Sequence, residues 1–184
     1  MENGGRMRGI GCVFLLLGMA AAQEHTAAVE KLAPYYPTPE TIVDKMLEMG
    51  GLRAGEKMYD LGSGDGRIVI LAARKYHANA VGVEYDKDLV RQSDAQIRKL
   101  NLQGSAKIIH GDIFAQNYGS ADLITVYLLP TSNDKVRPML ERQLKKGARV
   151  VAHDFEFRGW VPTRTETIDD DGEGRSHTLF LYQR

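Results

Sequence analysis

Residues 59–67 read Tyr59-Asp60-Leu61-Gly62-Ser63-Gly64-Asp65-Gly66-Arg67, and no other stretch constrains the fold as much. A short apolar strand pattern ends in three alternate glycines and passes directly into a helical pattern. Glycine carries no Cβ, so backbone in such a loop can come very close to a ligand. A strand that feeds a helix through a tight glycine turn is the opening unit of a parallel α/β sheet.

The pattern on both sides of the loop agrees. Thr38 is placed to cap a helix that has Pro39 at its first position. Ile42, Val43, Met46 and Leu47 mark one face of that helix, which ends near Gly50-Gly51. Strands are expected at Lys57 to Leu61, Ala80 to Glu84, Lys107 to His110, Leu123 to Leu129 and Arg149 to Asp154. Helices are expected at Arg67 to Tyr76, Asp88 to Leu100 and Asn133 to Leu144. The C-terminal part alternates instead: Thr163 to Ile168 and Thr178 to Tyr182 flank a polar turn over Asp169 to Gly174, which reads as an antiparallel hairpin. The expected fold is α/β: a single Rossmann-like, doubly wound, mainly parallel seven-stranded sheet with an antiparallel C-terminal hairpin. Ligands of such sheets sit outside the carboxyl ends of the strands.

The strand ends therefore carry the chemistry. The glycine spacing is GxGxG, one residue short of the dinucleotide fingerprint before its third glycine. Asp65 lies inside the loop, where an acid opposes a pyrophosphate at a helix N-terminus. With Asp60 just upstream, the loop suits a ligand bearing an ammonium or sulfonium, and its amides remain to receive a carboxylate. Glu84, 18 residues after Gly66, is placed to accept ribose hydroxyls, and Tyr85 to lie on an adenine face. Asp112 is placed to accept from an adenine amino group, with the Ile113 amide donating to the ring. An amino acid, a ribose and an adenine, each met by one strand end, describe S-adenosylmethionine.

Tyr127 ends the fourth strand, where a methyl-transfer site faces its reacting carbon. The Asn/Asp-Pro-Pro-aromatic pattern that grips planar amide or base nitrogens is absent there. Tyr127 either shapes the acceptor channel, stacks on a cation or packs in the core. Tyr35-Tyr36-Pro37-Thr38-Pro39-Glu40 reads as a lid with Thr38 on the ligand carboxylate, or as plain capping. His110 reads as a packed strand residue. His153-Asp154-Phe155 and Trp160 lie towards the acceptor side, in either a structural or a binding role.

The 184 residues suit one domain. The 24 basic and 24 acidic side chains cancel, which argues against a nucleic-acid-binding surface. Cys12 is the single cysteine, so an intrachain disulfide is impossible; the five histidines lack zinc-site spacing, and no metal is expected. Residues 1–22 differ from the rest. Arg6 and Arg8 precede an apolar run from Ile10 to Ala22 that ends in Ala20-Ala21-Ala22. That layout is a signal peptide, with an uncleaved anchor or a misplaced start codon as alternatives. The run falls short of the about 20 residues needed to span a bilayer. An exported or periplasmic protein is expected, with anchored or cytoplasmic placement as alternatives. Residues 23–184 form the mature domain, expected to be monomeric and without a stable membrane span.

The loop, Glu84 and Asp112 resemble the seven-strand, class I S-adenosylmethionine-dependent methyltransferases. The YDLGSGDGRI run, Tyr36 to Glu40, Tyr127 to Pro130, the RVVAHDFEFRGW run and His177-Thr178 are similar to a small protein lysine methyltransferase family. Its members are broad-specificity archaeal enzymes and mitochondrial enzymes acting on the adenine nucleotide translocase and the c-ring protein of ATP synthase. The resemblance implies cofactor contacts from Thr38, Asp60, Gly62, Gly64, Glu84 and Asp112; Tyr36, Ser63, Gly66, Tyr85 and Ile113, beside them in the same segments, complete the candidate cofactor site. It places Tyr127 by the transferring methyl, and makes a protein with exposed lysines the partner. A small-molecule or lipid methyltransferase, or a non-catalytic cofactor binder, are the alternative functions.

Overall fold

The computed structural model describes Met1 and residues 32–184. Apart from Met1, the expected signal peptide lies outside the described residues. A seven-stranded sheet runs through the described chain in the order β3-β2-β1-β4-β5-β7-β6. Its strands are β1 (Lys57–Leu61), β2 (Asn79–Glu84), β3 (Ala106–His110), β4 (Leu123–Val126), β5 (Arg149–His153), β6 (Arg164–Ile168) and β7 (His177–Gln183). The pairs β1–β2, β2–β3, β1–β4 and β4–β5 are parallel. β7 pairs antiparallel with both β5 and β6, as the alternating C-terminal pattern requires.

Helices cover both faces unequally. α1 (Glu40–Met49), α2 (Arg67–Tyr76) and α3 (Lys87–Lys99) contribute to one apolar cluster with Met58, Ala80, Ala106, Leu123 and Val151 from the sheet. α4 (Pro130–Gln143) packs on the opposite face against Leu61, Ile124, Val126, Val150 and Ala152. Strand residues alternate between the two clusters because successive side chains point to opposite faces. β4 reads as an unbroken apolar run because all four of its residues are buried.

Several boundaries differ from the sequence reading, and three of them shape the site. β4 stops at Val126 rather than Leu129, and α4 starts at Pro130 rather than Asn133. Proline at the first helical position lacks only an N–H that has no partner there, so the helix begins as soon as Pro130 permits. Tyr127 is thereby released from the sheet. β5 stops at His153, and Asp154 leaves it in the left-handed region at φ 58. α1 begins at Glu40 behind Pro39 with no side-chain cap. Thr38 does not cap; its hydroxyl lies 3.3 Å from Nδ1 of His153.

The strand order reverses at β1. The chain steps outward through β2 and β3, then returns to place β4 on the other side of β1. Connections leave in opposite directions there, and a crevice opens at the carboxyl ends of β1, β2 and β4. Among the described residues no helix is long and apolar enough to cross a membrane.

Candidate active site

A cavity of about 480 Å³ fills that crevice. Tyr36, Thr38, Asp60, Gly62, Ser63, Gly64, Glu84, Tyr85, Asp112, Ile113 and Tyr127 all line it. Gly66 does not: it precedes α2 at φ 77, and a Cβ on it would meet Ser93 at 3.0 Å. Its contribution is to let α2 and α3 approach. Gly64 is the glycine of the wall itself. It lies at φ 54, and a Cβ there would come within 2.8 Å of the Tyr35 ring. Tyr35 belongs to a strap, Leu32 to Thr38, that borders the cavity. Ser63 offers backbone rather than side chain, since its hydroxyl turns inward against Gly82 and has no partner.

Four of the loop amides are already engaged, which leaves less to cradle an anion than the sequence reading allows. Those of Gly62 and Ser63 donate to the Val83 carbonyl at 2.9 and 3.1 Å, and that of Gly66 to Ser63. The Gly64 amide donates to Oε2 of Glu84 at 2.8 Å. Oε1 of Glu84 accepts from the amides of Tyr85 and Asp86, both at 2.8 Å. Three of the roughly four acceptor positions of this carboxylate are thus filled, and the position left on Oε2 suits one ribose hydroxyl. Tyr85 is half exposed beside the cavity, with His110 tilted against it. His110 is itself exposed and meets the Tyr85 carbonyl at 3.0 Å, so it is an edge residue rather than a packed one. Oδ1 of Asp112 accepts from the Phe114 amide at 2.8 Å and caps the 3-10 turn Ile113–Ala115. Its other oxygen is left for a ligand.

The two loop acids have different environments. Asp65 is gripped by Arg67, whose Nε and Nη2 donate to it at 2.9 and 2.7 Å. Burial pushes the Asp65 carboxyl up, but the Arg67 fork outweighs it and holds the group below its ordinary value. Its charge is therefore compensated within the protein and is not the cation site the sequence suggests. Arg67 also donates to the Thr38 carbonyl at 2.8 Å, tying loop to strap. Asp60 is the uncompensated acid. It is buried, and Oδ1 accepts from the Thr125 hydroxyl at 2.8 Å. Burial, reinforced by the charges of Glu84 and Asp65, lifts it to about 7 despite that bond.

Behind Tyr127, which alone of these groups lines the cavity, stands a cluster that linear spacing hides. Tyr127 stacks on His153 with ring centroids 3.9 Å apart, and its hydroxyl donates to Oδ2 of Asp154 at 3.1 Å. Nε2 of His153 lies 2.9 Å from Nδ1 of His177. His177 faces Asp154 through Nδ1 at 3.1 Å and Asp171 through Nε2 at 3.2 Å. The histidines are 24 residues apart in the chain. They meet because His153 pairs with Leu179 in the antiparallel register, which puts His177 on the diagonal. The signal for this cluster was the alternation of the C-terminal strand. Trp160 lies elsewhere, against Phe157 and Tyr182, with its indole donating to Glu141 at 2.7 Å.

Class I methyltransferases that use S-adenosylmethionine are built on this sheet with this cavity, and the chain is one of them. It belongs to the family of the ANTKMT methyltransferase domain, which matches residues 60–164. A protein-lysine N-methyltransferase of Saccharolobus islandicus is 41% identical over 81% of this chain and 92% of its own length. The adenine nucleotide translocase lysine N-methyltransferase of Mus musculus is 30% identical, and the match spans 70% of this chain but under two thirds of that protein, 56%. A Salinibacter ruber protein described as an RNA methyltransferase, solved with S-adenosyl-L-homocysteine, is 40% identical with a TM-score of 0.74. That match covers 80% of this chain and 93% of the other.

Two outcomes are expected at the cofactor end. Glu84→Ala removes both the brace on Gly64 and the ribose acceptor, and losing hydrogen bonds to a charged group weakens S-adenosylhomocysteine binding about 10-fold or more by calorimetry; unchanged affinity refutes the ribose role. Asp60 is largely protonated in the free protein below its value of about 7. A ligand ammonium beside it favours the ionised form, so binding releases a proton and tightens as pH rises from about 6 to about 8. Calorimetry in two buffers of different ionisation enthalpy measures that proton, and Asp60→Asn abolishes it. Proton uptake instead places the ammonium elsewhere.

Proposed function

We propose that the chain is a protein-lysine N-methyltransferase. The observation that carries this reading is the match to the Saccharolobus islandicus lysine methyltransferase, which spans 81% of this chain and 92% of that protein. When bound, the cofactor would supply an electrophilic methyl on sulfur to an acceptor nitrogen that has first lost a proton to water. The protein's task is alignment and exclusion of water. Glu84 holds the loop and a ribose hydroxyl, Asp112 and Tyr85 face the base, and Asp60 faces the amino group. Apolar Val83, Ile113 and Leu128 enclose the path between them. An apolar approach also disfavours the charged form of a lysine and so eases loss of its proton.

A second reading is RNA methylation, favoured by the description of the Salinibacter ruber relative. Against it stand the balanced charge of the chain and the Asp154 carboxylate behind Tyr127, which repels phosphate. Incubating the protein with labelled cofactor and a host lysate separates the readings. Label in proteins, recovered as methyl-lysine after hydrolysis, is expected. Label confined to RNA establishes the second reading and overturns the first.

The export signal over residues 1–22 is part of the proposal, supported by its arginines, apolar run and alanine triplet. Mass spectrometry of the protein from its native host is expected to find Gln23 as the first residue. An intact N-terminus would sink the cleavage.

A further inference from the structure

We propose that the hydroxyl of Tyr127, held by Asp154, is the docking point for the acceptor amine, with His177 and Asp171 as the positioning residues behind it. The proposal rests on the amine-acceptor reading above and adds the groups that select and orient the amine.

Tyr127 lines the cavity just beyond the end of β4. Its hydroxyl hydrogen is committed to Asp154, so the oxygen offers only lone pairs to a ligand. A group so prepared accepts N–H donors and discriminates against carbonyls. An alkylammonium is the matching chemistry.

Asp154 is built for this at some conformational cost. A non-glycine residue at φ 58 is uncommon, and strain of this kind concentrates at functional sites. The turn points the carboxylate back at the sheet end. Oδ1 takes the Thr178 amide at 2.9 Å, and Oδ2 takes Tyr127 and His177. His177 then bridges to the buried Asp171. Asp171 is fixed by the amides of Glu173 and Arg175 at 2.8 and 3.2 Å. Two carboxylates joined through one imidazole thus stand behind a single hydroxyl, in a setting where charge is weakly screened.

Among the groups around Tyr127, Asp154 is the anion in contact with its hydroxyl. His153, beneath Tyr127, is held down to about 4 by burial and the neighbouring His177, so it is neutral. Burial pushes Asp154 up, but the Thr178 amide and the His177 ring outweigh it and hold the carboxyl below its ordinary value. Asp154 therefore remains an anion that attracts and aligns the ammonium, and the proton the ammonium gives up goes to water. The Arg175 guanidinium is engaged by Asp171 and Glu173 and donates to the Tyr36 hydroxyl. The Phe155 ring stacks 6.2 Å from that of Tyr127, and Tyr36 lines the cavity nearby. These rings suit an aliphatic stem.

The test titrates n-butylammonium, a lysine side-chain surrogate, into the full chain saturated with S-adenosylhomocysteine. Shifts are read by NMR at the Thr178 amide and the His177 ring. Saturable shifts are expected with the amine and none with n-butanol; Asp154→Asn and Tyr127→Phe abolish them. Asparagine tolerates the left-handed backbone as aspartate does, and calorimetry with S-adenosylhomocysteine confirms that each variant is folded. In methyl transfer to poly-L-lysine, Tyr127→Phe and Asp154→Asn lower kcat/KM about 10- to 100-fold, the range for one hydrogen bond to a charged group. His177→Gln lowers it less. The rise of kcat/KM with pH persists in Asp154→Asn at reduced height; its disappearance would make Asp154 the base and overturn the assignment. Amine shifts absent from Thr178 and His177, or variants with wild-type kcat/KM, also overturn it. Butylammonium binding at these residues without methyl-lysine in any lysate protein would leave the amine site standing and sink the lysine function. His153, Asp154 and His177 also offer donor atoms within 4.8 Å of one another. Dialysis against a chelator is expected to leave transfer intact, and loss restored by zinc would reassign the three as metal ligands.

Discussion

The hydrogen bond from the Gly64 amide to Glu84 is the constraint on which the cavity depends. It joins the loop after β1 to the end of β2, beside the switch point between β1 and β4. The same carboxylate takes the first two amides beyond β2. One side chain therefore sets the shape of two strand exits at once. The bend it imposes requires positive φ at Gly62 and Gly64, so the glycines and the glutamate form one device. The strap is added to this device through Tyr35 on Gly64 and Arg67 on the Thr38 carbonyl.

Much of this was legible in the chain. The glycine loop, the strand-helix alternation and the acid at the end of β2 are local signals, and local signals survive projection onto sequence. Even the cofactor could be assembled from three strand ends, because in a parallel sheet all those ends meet at one edge. The errors arose where a side chain found a partner that the local pattern does not announce. Thr38 looks like a cap and Asp65 like a free acid. His153, 115 residues from Thr38, and the Arg67 fork decide otherwise. The loop amides looked available, but whether an N–H is free depends on what folds over it, here the Val83 carbonyl and Glu84.

The far-end cluster was unreadable for a deeper reason. Zinc-type spacing is a local rule, suited to ligands on one turn or one hairpin. His153 and His177 come from neighbouring antiparallel strands in non-adjacent register positions, and Asp171 comes from the turn before β7. Only the pairing of β5 with β7 brings them together. In an otherwise parallel sheet, an inserted antiparallel strand brings a start, not an end, to the ligand edge. The structure uses that start to deliver His177.

The two ends of the cavity thus differ electrostatically in a way that suits their tasks. At the cofactor end, Asp60 is raised towards neutrality by burial and gains most when a cation arrives beside it. Behind Tyr127, Asp154 is held low by the Thr178 amide and the His177 ring, so its charge is present whether or not a ligand is bound. The first arrangement couples binding to ionisation; the second provides a standing field. A transferred methyl begins on a cation and ends on a cation, with the charge moving from sulfur to nitrogen. A fixed anionic site on the nitrogen side stabilises the charge where it arrives, and because its dipoles are already oriented, it does so without reorganisation during transfer.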